Sequence, residues 1–111
     1  MTVKNTFEIL IYPGLHSRPG KEFIKLCMEY ESKVTLEING NQFNGKSMIS
    51  LLANKPSQSE IVHISLEGND EIELMEKIVN WQTMSYKSKE DLDNPIKEEE
   101  LLQGLKLVSD E

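Results

Sequence analysis

Three stretches of this 111-residue chain alternate between apolar and other side chains, and this alternation constrains the fold more than any other feature. They span residues 6–12, 33–38 and 60–67. A period of two is typical of β-strands that bury one face. A sheet of such strands must cover its apolar face with a second layer of structure.

Helical spacing of apolar residues occurs in three further segments. The first runs from residue 17 to about residue 30, with Pro19 in its first turn, where a missing N–H costs nothing. The second follows Ser47, a suitable N-cap residue. The third follows Asp70, which has the spacing of a capping box with Glu73.

The dipeptide Asn39-Gly40 predicts a tight hairpin turn, because both turn positions tolerate positive φ. The return strand, residues 41–44, is short and polar, as expected at the edge of a sheet. The element order is then β-α-β-β-α-β-α. It predicts an α+β fold of two layers, in which three helices pack on one face of a four-stranded antiparallel sheet.

Charge and composition exclude several classes of protein. The net charge of −7 disfavours binding to nucleic acid, which usually requires a basic surface. No apolar run approaches the ~20 residues of a membrane span, so we expect no membrane insertion. The single cysteine, Cys27, rules out an internal disulfide and fits a reducing compartment. We therefore expect a cytoplasmic monomer.

The last 30 residues differ from the rest of the chain. Residues 82–111 hold eight acidic and four basic side chains, and many are polar. We divide the chain into a domain at residues 1–82 and an acidic extension at residues 83–111, which is expected to be flexible. The alternative is a short helix after Asn94-Pro95 that docks on this or another protein.

His16 lies where the first strand ends and the first helix begins. A neutral imidazole is a nucleophile, and the first N–H groups of a helix bind phosphate. Arg18 adds a cation that pairs with phosphate oxygens. No carboxylate or second histidine neighbours His16 in the sequence, so we predict neither a metal site nor a cofactor. His16 is a candidate phosphoryl acceptor; an ordinary exposed histidine is the alternative, as for His63.

The run Gly-Leu-His-Ser-Arg-Pro at residues 14–19 resembles the active-site motif of HPr, the histidine-containing phosphocarrier family of the bacterial phosphoenolpyruvate-dependent sugar phosphotransferase system. The resemblance extends over about residues 3–82. Within it, Lys46-Ser47 falls where the family begins its second helix, and residues 67–71 resemble the turn into its last helix. The resemblance implies an open-faced β-sandwich with the sheet order 1-4-2-3.

The resemblance also implies a function for individual residues. Nδ1 of His16 would take a phosphoryl group from phospho-enzyme I and pass it to an enzyme IIA domain, with Arg18 stabilising the phosphate. The protein would then be a carrier rather than an enzyme. Ser47 would be the serine that HPr kinase/phosphorylase modifies in many bacteria. The apolar patch that binds partner proteins would consist of Met48, Ile49 and Leu52.

A second function remains open within the same resemblance. The chain would then be an HPr-like regulatory binding module, either in a nitrogen-type branch or as a serine-phosphorylated partner of transcription factors. Ser47 also has a simpler interpretation, that of a helix N-cap without a regulatory role.

Three positions depart from the family pattern. Pro13 replaces a small polar residue and removes a backbone donor near the expected phosphate. Gly20 replaces alanine, which is expected to weaken the first helical turn by ~1 kcal/mol relative to Ala. Lys55 stands where a glycine usually ends the second helix.

Overall fold

The computed structural model describes residues 2–110, which contain seven strands and four helices. The strands are β1 (Thr2–Ile9), β2 (Lys33–Ile38), β3 (Asn41–Asn44), β4 (Ile61–Glu67), β5 (Gln82–Ser85), β6 (Glu100–Gln103) and β7 (Leu105–Asp110). The helices are α1 (Ser17–Met28), α2 (Met48–Asn54), α3 (Glu71–Val79) and α4 (Lys89–Asp93). None of the described helices is long and apolar enough to cross a bilayer.

The main sheet has five antiparallel strands in the order β3-β2-β4-β1-β7. Strands β1, β4, β2 and β3 are neighbours in this sheet, which is the expected order 1-4-2-3. The predicted α+β open-faced sandwich is therefore confirmed. The expected total of four strands is wrong, because β7 pairs with the outer edge of β1. Strands β5 and β6 form a separate two-stranded sheet.

One face of the main sheet is buried beneath the helices. Strands β1, β2 and β4 contribute Phe7, Ile9, Val34, Leu36, Ile38, Val62, Ile64 and Leu66 to the core. Helices α1, α2 and α3 contribute Phe23, Cys27, Leu51, Leu74, Met75 and Ile78. Side chains that alternate with the core residues, such as His63 and Ser65, lie on the open face and are half-buried.

The C-terminal segment differs from its sequence-based prediction. The sequence predicts a flexible extension, or a short helix after Pro95, whereas the structure contains β6 and β7 after this residue. The helical interpretation is wrong because the edge of β1 offers unpaired backbone groups, and β7 satisfies them while Leu105 enters the core. A short apolar run fits either a helix or a strand, and this tertiary contact decides between them.

The beginning of α3 also differs from the prediction. Asp70 is the N-cap residue, but its side chain makes no capping hydrogen bond. Its carboxylate instead accepts hydrogen bonds from Glu31 N at 2.8 Å, from Ser32 N at 3.0 Å and from the Ser32 hydroxyl. Glu71 accepts a hydrogen bond from Gly68 N at 3.1 Å. Asp70 therefore joins α3 to the turn between α1 and β2.

These hydrogen bonds make the stability of the fold depend on pH. Donation from the Ser32 hydroxyl and from Glu31 N lowers the pKa of Asp70 below its usual value. Because the folded pKa is lower than the unfolded one, the stabilisation is present above the unfolded pKa of about 3.9 and is lost as the pH falls through the folded pKa.

We expect Asp70→Asn to lower the free energy of unfolding at pH 7, because the turn loses the charged acceptor. The difference from the wild type should shrink steadily below pH 4, as measured by urea unfolding at several pH values. Asp93→Asn, which changes an exposed aspartate, is the control. Parallel pH profiles for the wild type and Asp70→Asn would contradict this role of the carboxylate.

Candidate functional site

The turn between β1 and α1 places His16 at the beginning of the helix. His16 is the N-cap of α1, with an extended backbone (φ −106°, ψ 170°) and a half-buried imidazole. Gly14 has φ 146°, and a Cβ there would lie 2.1 Å from the Pro56 oxygen. Only glycine allows the backbone at residue 14 to lie this close to Pro56. The close contact packs the turn against residues 56 and 57, which precede β4. The peptide bond between Tyr12 and Pro13 is cis.

We call residues 10–16, between β1 and α1, the histidine turn. Its main contact is the carbonyl of Pro56. It accepts hydrogen bonds from Leu15 N at 2.8 Å and from Nδ1 of His16 at 3.2 Å. A carbonyl oxygen only accepts, so this contact requires a proton on Nδ1; in the neutral imidazole the lone pair then lies on Nε2. Nδ1 therefore has a lone pair available for nucleophilic attack only after it leaves Pro56 and loses its proton.

The proline of this turn also has a structural contact. Pro13 lacks an N–H, but its carbonyl accepts a hydrogen bond from Gln58 N at 2.9 Å. Gln58 further donates through its amide Nε2 to Leu10 O at 3.0 Å. The segment at residues 56–58 thus makes hydrogen bonds to both ends of the turn and sets the position of the imidazole.

Arg18 lies in the first turn of α1 and is already paired with a carboxylate. Its guanidinium Nη1 donates to the Oε1 of Glu99, immediately before β6. The Arg18 side chain is 62% exposed and the Glu99 side chain is 26% exposed. The cation expected to stabilise a phosphate is therefore engaged by the C-terminal segment.

Ser47 and His16 are associated with opposite ends of α2. Ser47 is the N-cap of this helix, and its hydroxyl accepts a hydrogen bond from Ser50 N at 3.2 Å. At the other end Lys55 adopts the left-handed conformation (φ 44°, ψ 63°) in which a glycine is usual, and Pro56 follows. A helix of seven residues is about 10 Å long. Ser47 is thus separated from the Pro56 contact by the length of α2.

The predicted patch lies on the outer side of α2. Ile49 is 82% exposed and Leu52 is 50% exposed, while Met48 is half-buried. Leu51 points the other way into the core and fixes the orientation of the helix. We call Met48, Ile49 and Leu52 the α2 patch. Its large exposed apolar side chains are the kind that bind partner proteins.

The expectation about Gly20 is wrong in this fold. A Cβ at this position would lie 2.2 Å from the carbonyl oxygen of Leu15 and 3.6 Å from Cε of Met48. Alanine would force the histidine turn away from the helix, so its better helix propensity brings no gain here. The missing side chain lets the turn and α2 pack closely on α1.

Two contacts of this site have no signal in the sequence. Pro56 lies in a polar loop, and the sequence does not indicate that its carbonyl meets His16. Glu99 belongs to the acidic run at residues 98–100, and composition does not distinguish its members. Among the described residues, no group of three or more His, Cys, Asp or Glu side chains is placed to hold a metal ion.

The fold and the site define a small α+β open-faced sandwich with a half-exposed histidine at the beginning of its first helix. A family model described as the PTS HPr component phosphorylation site matches residues 3–83. The chain belongs to the HPr family of phosphocarrier proteins. The match ends at residue 83, so the segment that carries Glu99 lies outside it.

Relatives and solved structures agree with this assignment. Phosphocarrier protein HPr of Haemophilus influenzae is 33% identical over 72 residues, which are 65% of this chain and 85% of that protein. HPr of Borreliella burgdorferi is 38% identical over 69 residues, 62% of this chain and 80% of the relative. The HPr-like protein Crh of Halalkalibacterium halodurans is 29% identical over 77 residues, 69% of this chain and 92% of the relative.

Among solved structures, HPr-C-His from Thermoanaerobacter tengcongensis superposes with a TM-score of 0.64 at 32% identity. The superposition covers 66% of this chain and 82% of that structure. A phosphocarrier protein HPr from Bacillus anthracis gives a TM-score of 0.65 over 68% of this chain and 89% of that chain. Its identity of 23% supports the fold alone.

Proposed function

We propose that this protein carries a phosphoryl group on His16, which it receives from phospho-enzyme I and passes to an enzyme IIA domain. One observation carries the proposal: His16, with a half-exposed imidazole, occupies the N-cap position of α1 inside the segment that matches the HPr family model. The amide groups of the first helical turn and the cation of Arg18 are suited to bind a phosphate dianion beside this ring.

The transfer requires one rearrangement at the acceptor. The proton of the imidazole moves from Nδ1 to Nε2 through solvent, and the ring turns away from the Pro56 carbonyl. The lone pair of Nδ1 then attacks phosphorus, and a P–N bond forms while the bond to the donor atom breaks. The electron pair of that bond returns to the donor. Transfer to a histidine of enzyme IIA repeats these steps with Nδ1 of His16 as the leaving group.

We expect incubation with phosphoenolpyruvate and a cognate enzyme I to place one acid-labile phosphate on His16, detected by mass spectrometry at neutral pH. His16→Ala should take up no phosphate. His63→Ala, which removes the other histidine, should take up as much as the wild type. Phosphate that persists in His16→Ala, or a wild type that remains unmodified, would reject the proposed carrier.

We also propose that the α2 patch is the surface on which enzyme I and enzyme IIA dock. It lies on the helix whose C-terminal end leads directly to Pro56, the contact of the imidazole. A partner on this patch would therefore cover the helix next to the acceptor. Exposed apolar side chains that become fully buried in an interface typically contribute most of the binding energy.

We expect Ile49→Ser to weaken binding to enzyme I about tenfold, because truncation of a buried interface side chain typically costs about 1–2 kcal/mol. Its free energy of unfolding should change little, since the side chain is 82% exposed. Ile96→Ser is the matched control, because Ile96 is 88% exposed but lies in the C-terminal segment. Equal affinities for the two variants in calorimetric titration would exclude the patch.

Ser47 is proposed as a regulatory phosphorylation site at the beginning of the α2 patch. A phosphate there would add negative charge next to Met48 and weaken the docking of acidic partners by repulsion. The serine has a structural task as well, because its hydroxyl caps α2. Loss of that cap by Ser47→Ala is expected to cost about 1 kcal/mol.

We expect HPr kinase/phosphorylase and ATP to place one phosphate on Ser47, located by peptide mass spectrometry. Ser47→Ala should remain unmodified, and Ser50→Ala should be modified like the wild type because only its backbone contributes to the cap. If a kinase that modifies its own HPr leaves this chain unmodified, Ser47 is a helix cap without this regulation.

A regulatory binding module is the second candidate function. The engagement of Arg18 by Glu99 favours it, because the cation expected to stabilise a phosphate is already paired with a carboxylate. Growth on a transported sugar in a strain that lacks HPr distinguishes the two. Growth supports the carrier, whereas no growth despite phosphorylation of His16 supports the regulator. The cytoplasmic location and the monomeric state remain predictions.

A further inference from the structure

The contact between Arg18 and Glu99 joins the first turn of α1 to a segment outside the family match. This segment runs from residue 86 to residue 100. At one end, Tyr12 N donates to Tyr86 O at 2.8 Å. At the other end, Glu100 pairs with Ser85 in the sheet of β5 and β6. Glu99 thus reaches Arg18 from a segment that is held at both ends.

We propose that Glu99 is an internal competitor of the phosphoryl group for Arg18. In the unmodified protein the carboxylate holds the guanidinium, and in the phosphorylated protein the guanidinium moves to the phosphohistidine and Glu99 is released. This inference rests on the proposed function of His16. The proposal gives residues 86–100 a function, the control of Arg18, that lies outside the HPr fold at residues 3–83.

The competition follows from the chemistry of the groups. Guanidinium binds carboxylate and phosphate with the same fork of N–H donors, so the two anions seek the same cation. A phosphoryl group on His16 would bring close to two negative charges to the helix turn that carries Arg18. The dianion is the stronger partner, and it would also repel a carboxylate held next to the same guanidinium.

Few contacts hold the segment between its two ends, so the release of Glu99 costs little free energy. No side chain within α4 is buried, and residues 94–98 are exposed. Segments with few buried contacts open without unfolding of the whole protein. The strand that follows, β7, is anchored independently by its pairing with β1 and by Leu105 in the core. The segment is therefore able to move while the sheet stays intact.

The two states are linked thermodynamically. Any stabilisation that Glu99 gives to the unmodified protein opposes the attachment of phosphate and favours its departure to an acceptor. The same linkage requires that phosphorylation of His16 loosens the segment at residues 94–100. Because Arg18 is largely exposed, the pair should change the equilibrium by a modest factor, about twofold to fivefold.

The test measures the phosphorylation equilibrium rather than its rate. A catalytic amount of cognate enzyme I is mixed with the protein in buffers of fixed phosphoenolpyruvate-to-pyruvate ratio, and the phosphorylated fraction of His16 is read by mass spectrometry. At equilibrium the result does not depend on how well enzyme I docks. Glu99→Gln should reach half phosphorylation at a ratio about two to five times lower than the wild type.

Glu98→Gln is the matched control, because it removes the neighbouring charge. Glu98 is exposed and, within the described chain, pairs with no cation. Its midpoint should equal that of the wild type. In an Arg18→Gln background the effect of Glu99→Gln should disappear, since the carboxylate then has no guanidinium to withhold. An effect that survives in this background would overturn the competition.

Hydrogen exchange of the wild type supplies a readout without any variant. Amides at residues 94–100 should exchange faster in the phosphorylated protein, while those of β1 and β4 stay unchanged. Equal midpoints for Glu99→Gln and Glu98→Gln, or exchange that phosphorylation does not alter, overturn the inference and leave the carrier intact. Absence of phosphate on His16 in every protein overturns both.

Discussion

The antiparallel pairing of β1 with β4 is the constraint on which the rest of the structure depends. Its register sets Thr2 opposite Glu67 and Glu8 opposite Ile61. The chain that leaves β1 therefore passes the chain that enters β4. The first of these segments is the histidine turn, and the second contains Pro56. The contact between Nδ1 of His16 and the Pro56 carbonyl is thus a consequence of strand register rather than of local sequence.

The same pairing explains why α2 belongs to the site. This helix ends immediately before Pro56, so the register of β1 and β4 also fixes its C-terminal end beside the histidine turn. Close packing then requires small residues where the backbones meet, and Gly14 and Gly20 satisfy this requirement. The α2 patch faces outward because Leu51 on the opposite side of the helix is buried in the core.

The C-terminal segment changes both the sheet and the electrostatics of the site. β7 covers the edge of β1 that the four-stranded sheet would expose, which removes an unpaired row of backbone groups. The chain reaches that edge only after passing α1, and on the way Glu99 meets Arg18. A carboxylate in contact with the expected phosphate-binding cation makes the charge of the site depend on residues far away in the sequence.

The sequence by itself determined the features that depend on neighbouring residues. Alternation predicted β2 and β4 and the existence of β1, although β1 spans Thr2–Ile9 rather than residues 6–12. The Asn39-Gly40 turn predicted the hairpin, and the cap preference of Ser47 predicted the beginning of α2. The position of His16 at the beginning of α1 is equally local, because the helical pattern starts immediately after this residue. Each of these elements needs only a few consecutive residues to be specified.

Tertiary structure decided the partners of these residues. Asp70 has the local signature of a helix cap, yet its carboxylate accepts hydrogen bonds from the turn at Ser32, which the fold brings to the beginning of α3. The run that contains Leu105 fits a helix until the open edge of β1 makes it a strand. Pro56 and Glu99 contact the site across 40 and 81 residues of chain. Contacts over such separations follow from strand register and chain path, which no local pattern encodes.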